Sequence, residues 1–154
     1  MQAIGDLIAA SPRFAGLSGE HLELIAGCGV TTRFERDEHL LREGDPADRF
    51  FLLRHGVVAL EIVAPGREPL VVETFHDGDT VGWSWLFAPY RWQFDARAVE
   101  PVAAIAFDGR CLREKCERDH ELGYELMRRF AAALVSRLQS TRLRLLDVYG
   151  RAAV

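Results

Sequence analysis

The pattern of apolar and polar positions divides the chain into three zones. Residues 1–29 have the pattern of short helices, with Ser18 as the expected N-cap of the second one. Residues 30–108 change to short apolar runs, separated about every ten residues by turns rich in glycine, proline and aspartate. Residues 109–149 contain no proline and have a helical period. This order predicts an antiparallel β-sandwich or barrel with helices before and after it.

Four runs in the middle zone are the clearest strands. They are rich in β-branched and aromatic side chains, which favour strands over helices. They lie at residues 50–53, 57–63, 70–75 and 102–107.

The third zone has two apolar stripes. The first follows a heptad spacing of four and three and consists of Met127, Ala131, Leu134, Leu138, Thr141, Leu145 and Val148. The second, on a neighbouring face, consists of Leu122, Leu126, Phe130 and Ala133. A long helix with two apolar faces needs two partners, so we expect one stripe to pack on the β-structure and the other to form a homodimer. The alternative is that both stripes form one wide face buried within the chain.

Composition and charge exclude several classes of protein. The chain has 154 residues, 49% of them hydrophobic, which is enough for one domain with a hydrophobic core. Its net charge of −4 argues against a general nucleic-acid binder. No run approaches the roughly 20 apolar residues that cross a bilayer, and the N-terminus lacks the basic start of a secretory signal. We expect a cytoplasmic protein that binds neither DNA nor membranes.

The residues that could carry chemistry form no catalytic or metal-binding motif. Cys28, Cys111 and Cys116 have no CxxC spacing and are too few to ligate an iron–sulfur cluster, so unpaired thiols are expected. The five histidines form no HxH or HxxxH pattern. No GxSxG, P-loop or HExxH motif is present either. The sequence predicts no catalytic residues, no metal site and no enzymatic activity.

Four short motifs follow one another in a familiar order: Phe14–Ser18, Glu43–Gly56, Asp77–Gly82 and Arg137–Thr141. Together they resemble the cyclic nucleotide-binding domain of catabolite activator protein, FNR-type regulators, protein kinase A regulatory subunits and cyclic-nucleotide-gated channels. The resemblance extends over about residues 10–148 and implies an α+β, mainly β fold. The implied architecture is an eight-stranded antiparallel β-roll, or jelly roll, with N-terminal helices and a long C-terminal helix.

The resemblance also sets expectations for domain organisation. In catabolite activator relatives a winged helix-turn-helix follows the C-terminal helix, whereas this chain ends shortly after Val148. We therefore expect a single domain over residues 1–154 without a DNA-binding domain. The response to a ligand would then pass to a separate output protein.

The family's phosphate-binding cassette falls at residues 82–98, where this chain departs from the pattern. Gly82 matches, but Trp83 stands where the family has a ribose-binding glutamate, and Trp85 where it has a small residue. Trp92 takes the place of the phosphate-binding arginine. Losing a charged hydrogen-bond partner and a buried ion-pair partner costs about 1–3 and 3–5 kcal/mol respectively, so cyclic nucleotide binding is expected to be weakened.

The resemblance nevertheless gives a set of candidate ligand residues. In the cassette they are Gly82, Trp83, Ser84, Trp85, Arg91, Trp92 and Arg97, and on the C-terminal helix Leu134, Leu138, Thr141 and Leu145. A remodelled loop would let Arg91 or Arg97 replace the missing arginine, and the ligand would be cAMP, cGMP or another small molecule. The alternative is that the aromatic side chains simply fill the pocket. Thr141 would then be an ordinary heptad residue, with Arg137 and Arg142 beside it in solvent.

These observations favour a non-enzymatic ligand-sensing regulatory module. A ligand-free protein-interaction module with an aromatic-filled pocket is the main alternative. A DNA-binding transcriptional regulator acting through the basic C-terminal segment is a remote one.

Overall fold

Eight antiparallel strands lie between two pairs of helices, in a computed structural model that describes residues 3–152. The helices are α1 Ile4–Ala9, α2 Gly19–Ala26, α3 Gly109–Arg118 and α4 His120–Ala152. The strands are β1 Gly29–Phe34, β2 His39–Leu41, β3 Arg49–His55, β4 Val58–Ile62, β5 Leu70–Phe75, β6 Thr80–Val81, β7 Asp95–Ala98 and β8 Val102–Asp108. Ser18 begins α2 by accepting a hydrogen bond from the His21 N–H. The mainly β fold with a long C-terminal helix is confirmed.

The strands form two four-stranded sheets that enclose the first of two hydrophobic cores. Their orders are β1-β8-β3-β6 and β2-β7-β4-β5. Alternate residues of each strand point into the roll, as Ala96 and Ala98 do on β7. The second core lies between the first sheet and the helices. The cassette connects the two sheets, and its aromatic side chains are divided between both cores.

An aromatic cluster at the centre of the second core joins the sheet to α4. Phe50 of β3 stacks on Phe107 of β8 and on Trp85, with ring centroids 4.8 and 4.6 Å apart. Phe130 of α4 meets both Phe50 and Trp85 edge-on, at 5.4 and 5.5 Å. Stacked and edge-to-face geometries are the favourable ones for aromatic pairs, so four elements are held by one set of contacts.

The two apolar stripes of α4 lie on different faces and differ in burial. The inner stripe, from Leu122 to Ala133, is buried against the sheet. The heptad stripe is exposed over most of its length, and Leu138 is 50% exposed. The two stripes therefore do not form one wide buried face. The homodimer stays a prediction.

The expectation of unpaired cysteines was wrong, because Cys28 and Cys111 are joined by a disulfide. β1 and β8 pair antiparallel with Gly29 opposite Phe107, which brings the start of β1 beside the start of α3. The two cysteines are 83 residues apart in sequence, but their Cα atoms are 5.9 Å apart. Cys116 is free, and burial raises the pKa of its thiol to about 11, with a smaller contribution from the nearby Asp119 and Glu117 carboxylates.

No helix among residues 3–152 is long and apolar enough to cross a membrane. Within the same residues, no three histidine, cysteine, aspartate or glutamate side chains are grouped closely enough to hold a metal ion.

Replacing Phe50 by alanine should lower the free energy of unfolding by about 3–5 kcal/mol, because it leaves a cavity beneath Trp85 and Phe130. Urea denaturation followed by far-UV circular dichroism measures this. Phe87→Ala is the matched control, since Phe87 is 47% exposed and should change stability by less than about 0.5 kcal/mol. Equal losses in the two variants would contradict the central role of the cluster.

Candidate functional site

The cassette begins at Gly82, directly after β6, and is fixed at Trp92 by backbone hydrogen bonds. Gly82 has a φ of +100°, which side chains other than glycine's rarely allow. A short 3-10 helix, Ser84–Leu86, follows. The loop then runs along the turn after β2, where Trp92 N–H donates to the Asp45 carbonyl at 3.1 Å and its own carbonyl accepts from Gly44 N–H at 2.9 Å. The loop conformation is therefore held by its backbone.

The indole ring of Trp92 occupies the space beside Gly82. A Cβ atom placed on Gly82 would lie 2.6 Å from Cη2 of Trp92, so the ring rests directly on the glycine backbone. Trp92 is only 6% exposed and belongs to the core inside the roll. The cavity left over has a volume of about 20 Å³, room for roughly one water molecule. It is lined by Leu41, Leu60, Phe75, Gly82, Trp83, Ser84, Trp92, Gln93 and Phe94.

Trp85 points the other way, out of the roll and into the second core. It is fully buried between Phe50 and Phe130, and its Nε1 has no hydrogen-bond partner. Its carbonyl accepts a hydrogen bond of 2.5 Å from Arg113 of α3. Trp83 and Ser84 are half-buried at the rim of the small cavity. The three tryptophans of the chain thus serve different parts of the structure.

Neither candidate arginine of the cassette reaches the cavity. Arg91 is exposed, and its guanidinium donates to the Gly44 carbonyl at 3.1 Å. Arg97 alternates with the inward-facing Ala96 and Ala98 and therefore lies on the outer face of its sheet.

Two acidic side chains hold Arg97 in that outward position. It donates to the buried Glu61 at 3.1 Å and to Asp37 at 2.7 Å. The hydrogen bonds with Glu61 are the main reason why the pKa of Arg97 is raised above its usual value, and Asp37 adds to it.

The positive charge beside the pocket comes instead from Arg137 of α4. Its guanidinium lies 4.0 Å above the ring of Phe75, forms an ion pair of 3.0 Å with Glu73 and donates to the Thr80 carbonyl at 3.4 Å. The Arg137 and Glu73 side chains are 14% and 16% exposed, so the pair is shielded from solvent. The expectation that Arg137 lies in solvent was wrong, because β5 comes within reach of this part of α4.

Two further arginines of α4 donate to backbone carbonyls, Arg129 within the core segment of the helix and Arg144 beyond it. Arg129 donates to the Arg13 and Ala15 carbonyls before α2, at 3.1 and 2.7 Å. Arg144 donates to the Val72 carbonyl of β5. Up to Ala133 the helix is held by apolar packing together with Arg129, and further along by polar contacts with β5 and β6.

The candidate residues of the helix lie apart from the cavity. Thr141 is exposed, and its hydroxyl donates to the Arg137 carbonyl at 2.9 Å within the same helix. Leu138 and Leu145 are exposed and Leu134 is half-buried. These four residues share the outward stripe, whereas Gly82, Trp83, Ser84 and Trp92 are the candidates that the fold brings together.

Sequence reasoning missed Glu73 and the role of Arg137. The motif from Arg137 to Thr141 marked the right segment of the helix. No pattern in the sequence connects Arg137 with Glu73 of β5. Their contact depends on the angle at which α4 crosses the sheet.

Comparisons with known proteins agree with the overall fold. Residues 31–119 match the family model described as cyclic nucleotide-binding domain. A protein from Geobacter metallireducens GS-15, described as cyclic nucleotide-binding, superposes with a TM-score of 0.79 at 32% identity, over 90% of this chain and 99% of that one.

Two further structures are similar in fold. A cyclic nucleotide-binding domain from Methylobacillus flagellatus KT has a TM-score of 0.78 at 20% identity, over 94% of this chain and 82% of that one. The N-terminal domain of a transcriptional regulator from Streptomyces coelicolor A3(2) has a TM-score of 0.68 at 23% identity, over 88% and 94%.

Replacing Arg137 by methionine should loosen the second half of α4, because Glu73 loses its ion-pair partner and Phe75 its cation. We expect a loss of about 2–4 kcal/mol in the free energy of unfolding. Amide hydrogen exchange of residues 134–150 should accelerate more than that of residues 120–130. Arg142→Met changes an exposed arginine of the same helix and should leave both measurements unchanged. Equal exchange in the two variants would contradict the role given to Arg137.

Proposed function

This chain belongs to the cyclic nucleotide-binding domain family, and from that premise we propose that it is a non-enzymatic ligand-sensing regulatory module with a closed pocket. The fold supports a ligand-sensing regulatory role. In the proposed mechanism Trp92 closes the pocket, Arg137 links the pocket to α4, and the exposed stripe of α4 transmits the state. Cyclic nucleotide binding is weak in such a module.

The observation that carries this proposal is the contact between Trp92 and Gly82. A ligand can occupy the cassette only if the indole leaves its place in the core. A tryptophan side chain buries about 150–250 Å², which is worth about 4–6 kcal/mol at about 25 cal/mol per Å². Displacing the ring therefore lowers affinity by about three to four orders of magnitude unless the ligand replaces those contacts.

Arg137 supplies the coupling between pocket and helix. Its ion pair with Glu73 fixes α4 to β5, and its guanidinium covers Phe75, which lines the cavity. An anionic ligand beside Phe75 would compete with Glu73 for the same guanidinium. Such a ligand has different affinities for the docked and released positions of α4, as a switch between them requires.

The output surface in this proposal is the exposed stripe of α4. Leu138 and Leu145 are both at least half exposed, and they lie at heptad positions. Exposed apolar residues in a continuous stripe are typical of an interaction site. A second copy of the chain covers it, in a parallel pairing of the two helices, and an output protein then reads the state of the dimer.

A ligand-free interaction module is the second candidate, and the small cavity favours it. In that case Trp92 is a permanent part of the core, and the output stripe acts without a switch. The two candidates differ in what happens when the ring of Trp92 is removed.

Isothermal titration with cAMP and cGMP tests the closed pocket. The wild-type protein should show no saturable binding below about 1 mM, given the cost of moving Trp92. Trp92→Ala should bind at least about tenfold more tightly, since it opens the cavity beside Gly82. Arg91→Ala and Phe87→Ala are matched controls in the same cassette and should behave like the wild type.

Each other outcome of the titration has a distinct meaning. Micromolar binding by the wild-type protein would contradict the closed pocket. A folded Trp92→Ala variant that gains no affinity would favour the ligand-free interaction module.

Sedimentation equilibrium tests the dimer. The wild-type chain should sediment as a dimer at micromolar concentration, and Leu138→Glu should weaken association at least about tenfold by placing a charge in the seam. Leu143→Glu is the matched control, because Leu143 is also exposed, at 66% against 50% for Leu138, but lies opposite the seam. A monomeric wild-type protein, or the same loss in both variants, would refute the seam.

A further inference from the structure

The Cys28–Cys111 disulfide lies in the wall of an open cleft. This cleft has a volume of about 670 Å³, is open to solvent, and contains Asp48, Arg49 and Arg110 besides the two cysteines. Cys28 is 7% exposed, whereas Cys111, in the first turn of α3, is half-buried. A thiol reagent can therefore approach the bond from the cleft, on the side of Cys111.

Other contacts besides the disulfide join the same segments. The Asp108 N–H donates to the Cys28 carbonyl at 2.8 Å. The Lys115 ammonium donates to the Leu24 carbonyl at 2.7 Å and so links α3 to the end of α2. Neither contact involves a sulfur atom, so both can persist when the bond opens, and we expect the resulting shift of α3 to be local.

α3 connects this site directly with the cassette. Arg113, two residues after Cys111, donates to the Trp85 carbonyl at 2.5 Å, and its guanidinium lies 4.2 Å from the ring centre of Tyr90. The first turn of α3 packs on the same segment, because a Cβ atom on Gly109 would lie 3.0 Å from Cβ of Trp85. A shift of α3 must therefore move the cassette between Trp85 and Tyr90.

We propose that Cys28 and Cys111 form a reversible thiol–disulfide exchange site, which accepts electrons from a dithiol reductant and transmits its redox state to the cassette through α3. The exchange itself does not require a cyclic nucleotide in the pocket. It gives this chain a second input besides the pocket.

The exchange is balanced in two steps. A thiolate of the reductant attacks Sγ of Cys111, which forms a mixed disulfide and releases Cys28, and solvent supplies the proton for its thiol. The second thiolate of the reductant attacks the sulfur joined to Cys111 and releases Cys111, which is protonated in turn. The protein gains two electrons and two protons, and the reductant leaves as a disulfide.

Cys116 provides an internal control. Its raised pKa of about 11 leaves roughly one thousandth of its thiol ionised at pH 8, so it takes little part in exchange. Cys116→Ser should therefore leave the redox behaviour of the other two cysteines unchanged.

The test equilibrates the full chain with mixtures of reduced and oxidised dithiothreitol, then counts free thiols by acid quench, maleimide labelling under denaturing conditions and mass spectrometry. Free thiols should rise from one to three per chain at a single, reversible midpoint. Cys116→Ser should keep that midpoint, whereas Cys28→Ser and Cys111→Ser should lose the transition.

Tryptophan emission recorded on the same samples tests the coupling. It should change at the midpoint of the thiol transition, while far-UV circular dichroism stays constant. Arg113→Met should keep the thiol transition but lose at least about half of the emission change, because it removes the link to the Trp85 carbonyl.

Three results would overturn the proposal. The first is three free thiols in the air-equilibrated protein. The second is a bond that excess dithiothreitol opens only together with loss of the circular dichroism signal. The third is a thiol transition with no change in tryptophan emission.

Discussion

The rest of the structure depends on the stacking of Phe50 between Trp85 and Phe107, with Phe130 packed edge-on against Phe50. These rings come from β3, the cassette, β8 and α4. Trp85 is the cassette's member of this cluster and is fully buried. The cassette and α4 thus share one buried cluster, so a rearrangement of either one disturbs the packing of the other.

Trp92 and Arg137 give the pocket its filling and its positive charge, and they come from two different parts of the chain. In the proposed module, Trp92 takes the space of a ligand, and the charge that a ligand phosphate would meet comes from Arg137 of α4 rather than from the loop. Glu73 already neutralises that charge. In this proposal the pocket resembles an occupied one. Trp92 replaces the ligand, and the carboxylate of Glu73 replaces the ligand's negative charge beside Arg137.

Much of the fold could be predicted from local patterns, whereas the contacts between distant segments could not. The strand at 102–107, the N-cap at Ser18 and the inner stripe of α4 all follow from periodicity or capping within one element. The outward position of Arg97 could also have been deduced, since it alternates with two alanines in a half-buried strand.

The disulfide and the Arg137–Glu73 ion pair depend on the register of β1 with β8 and on the angle at which α4 crosses β5. No local pattern in the sequence determines either. The pairing of Gly29 with Phe107 sets the distance between Cys28 and Cys111. The path of α4 across β5 sets the contact of Arg137 with Glu73. A site built from contacts of this kind is visible only once the elements are placed together.

The change from apolar to arginine contacts along α4 gives the helix the mechanics of a lever. Phe130 is the last large side chain in the buried cluster and would act as the pivot. The arm is the part of α4 after Phe130, and Arg137 and Arg144 attach it to the strands by hydrogen bonds. From Phe130 to Gly150 the arm is about 30 Å long, so a tilt of about 5° at the pivot moves its far end by about 3 Å. In the proposed switch, a sub-ångström adjustment around Trp85 would therefore displace the far end of the helix by as much as the length of a side-chain contact.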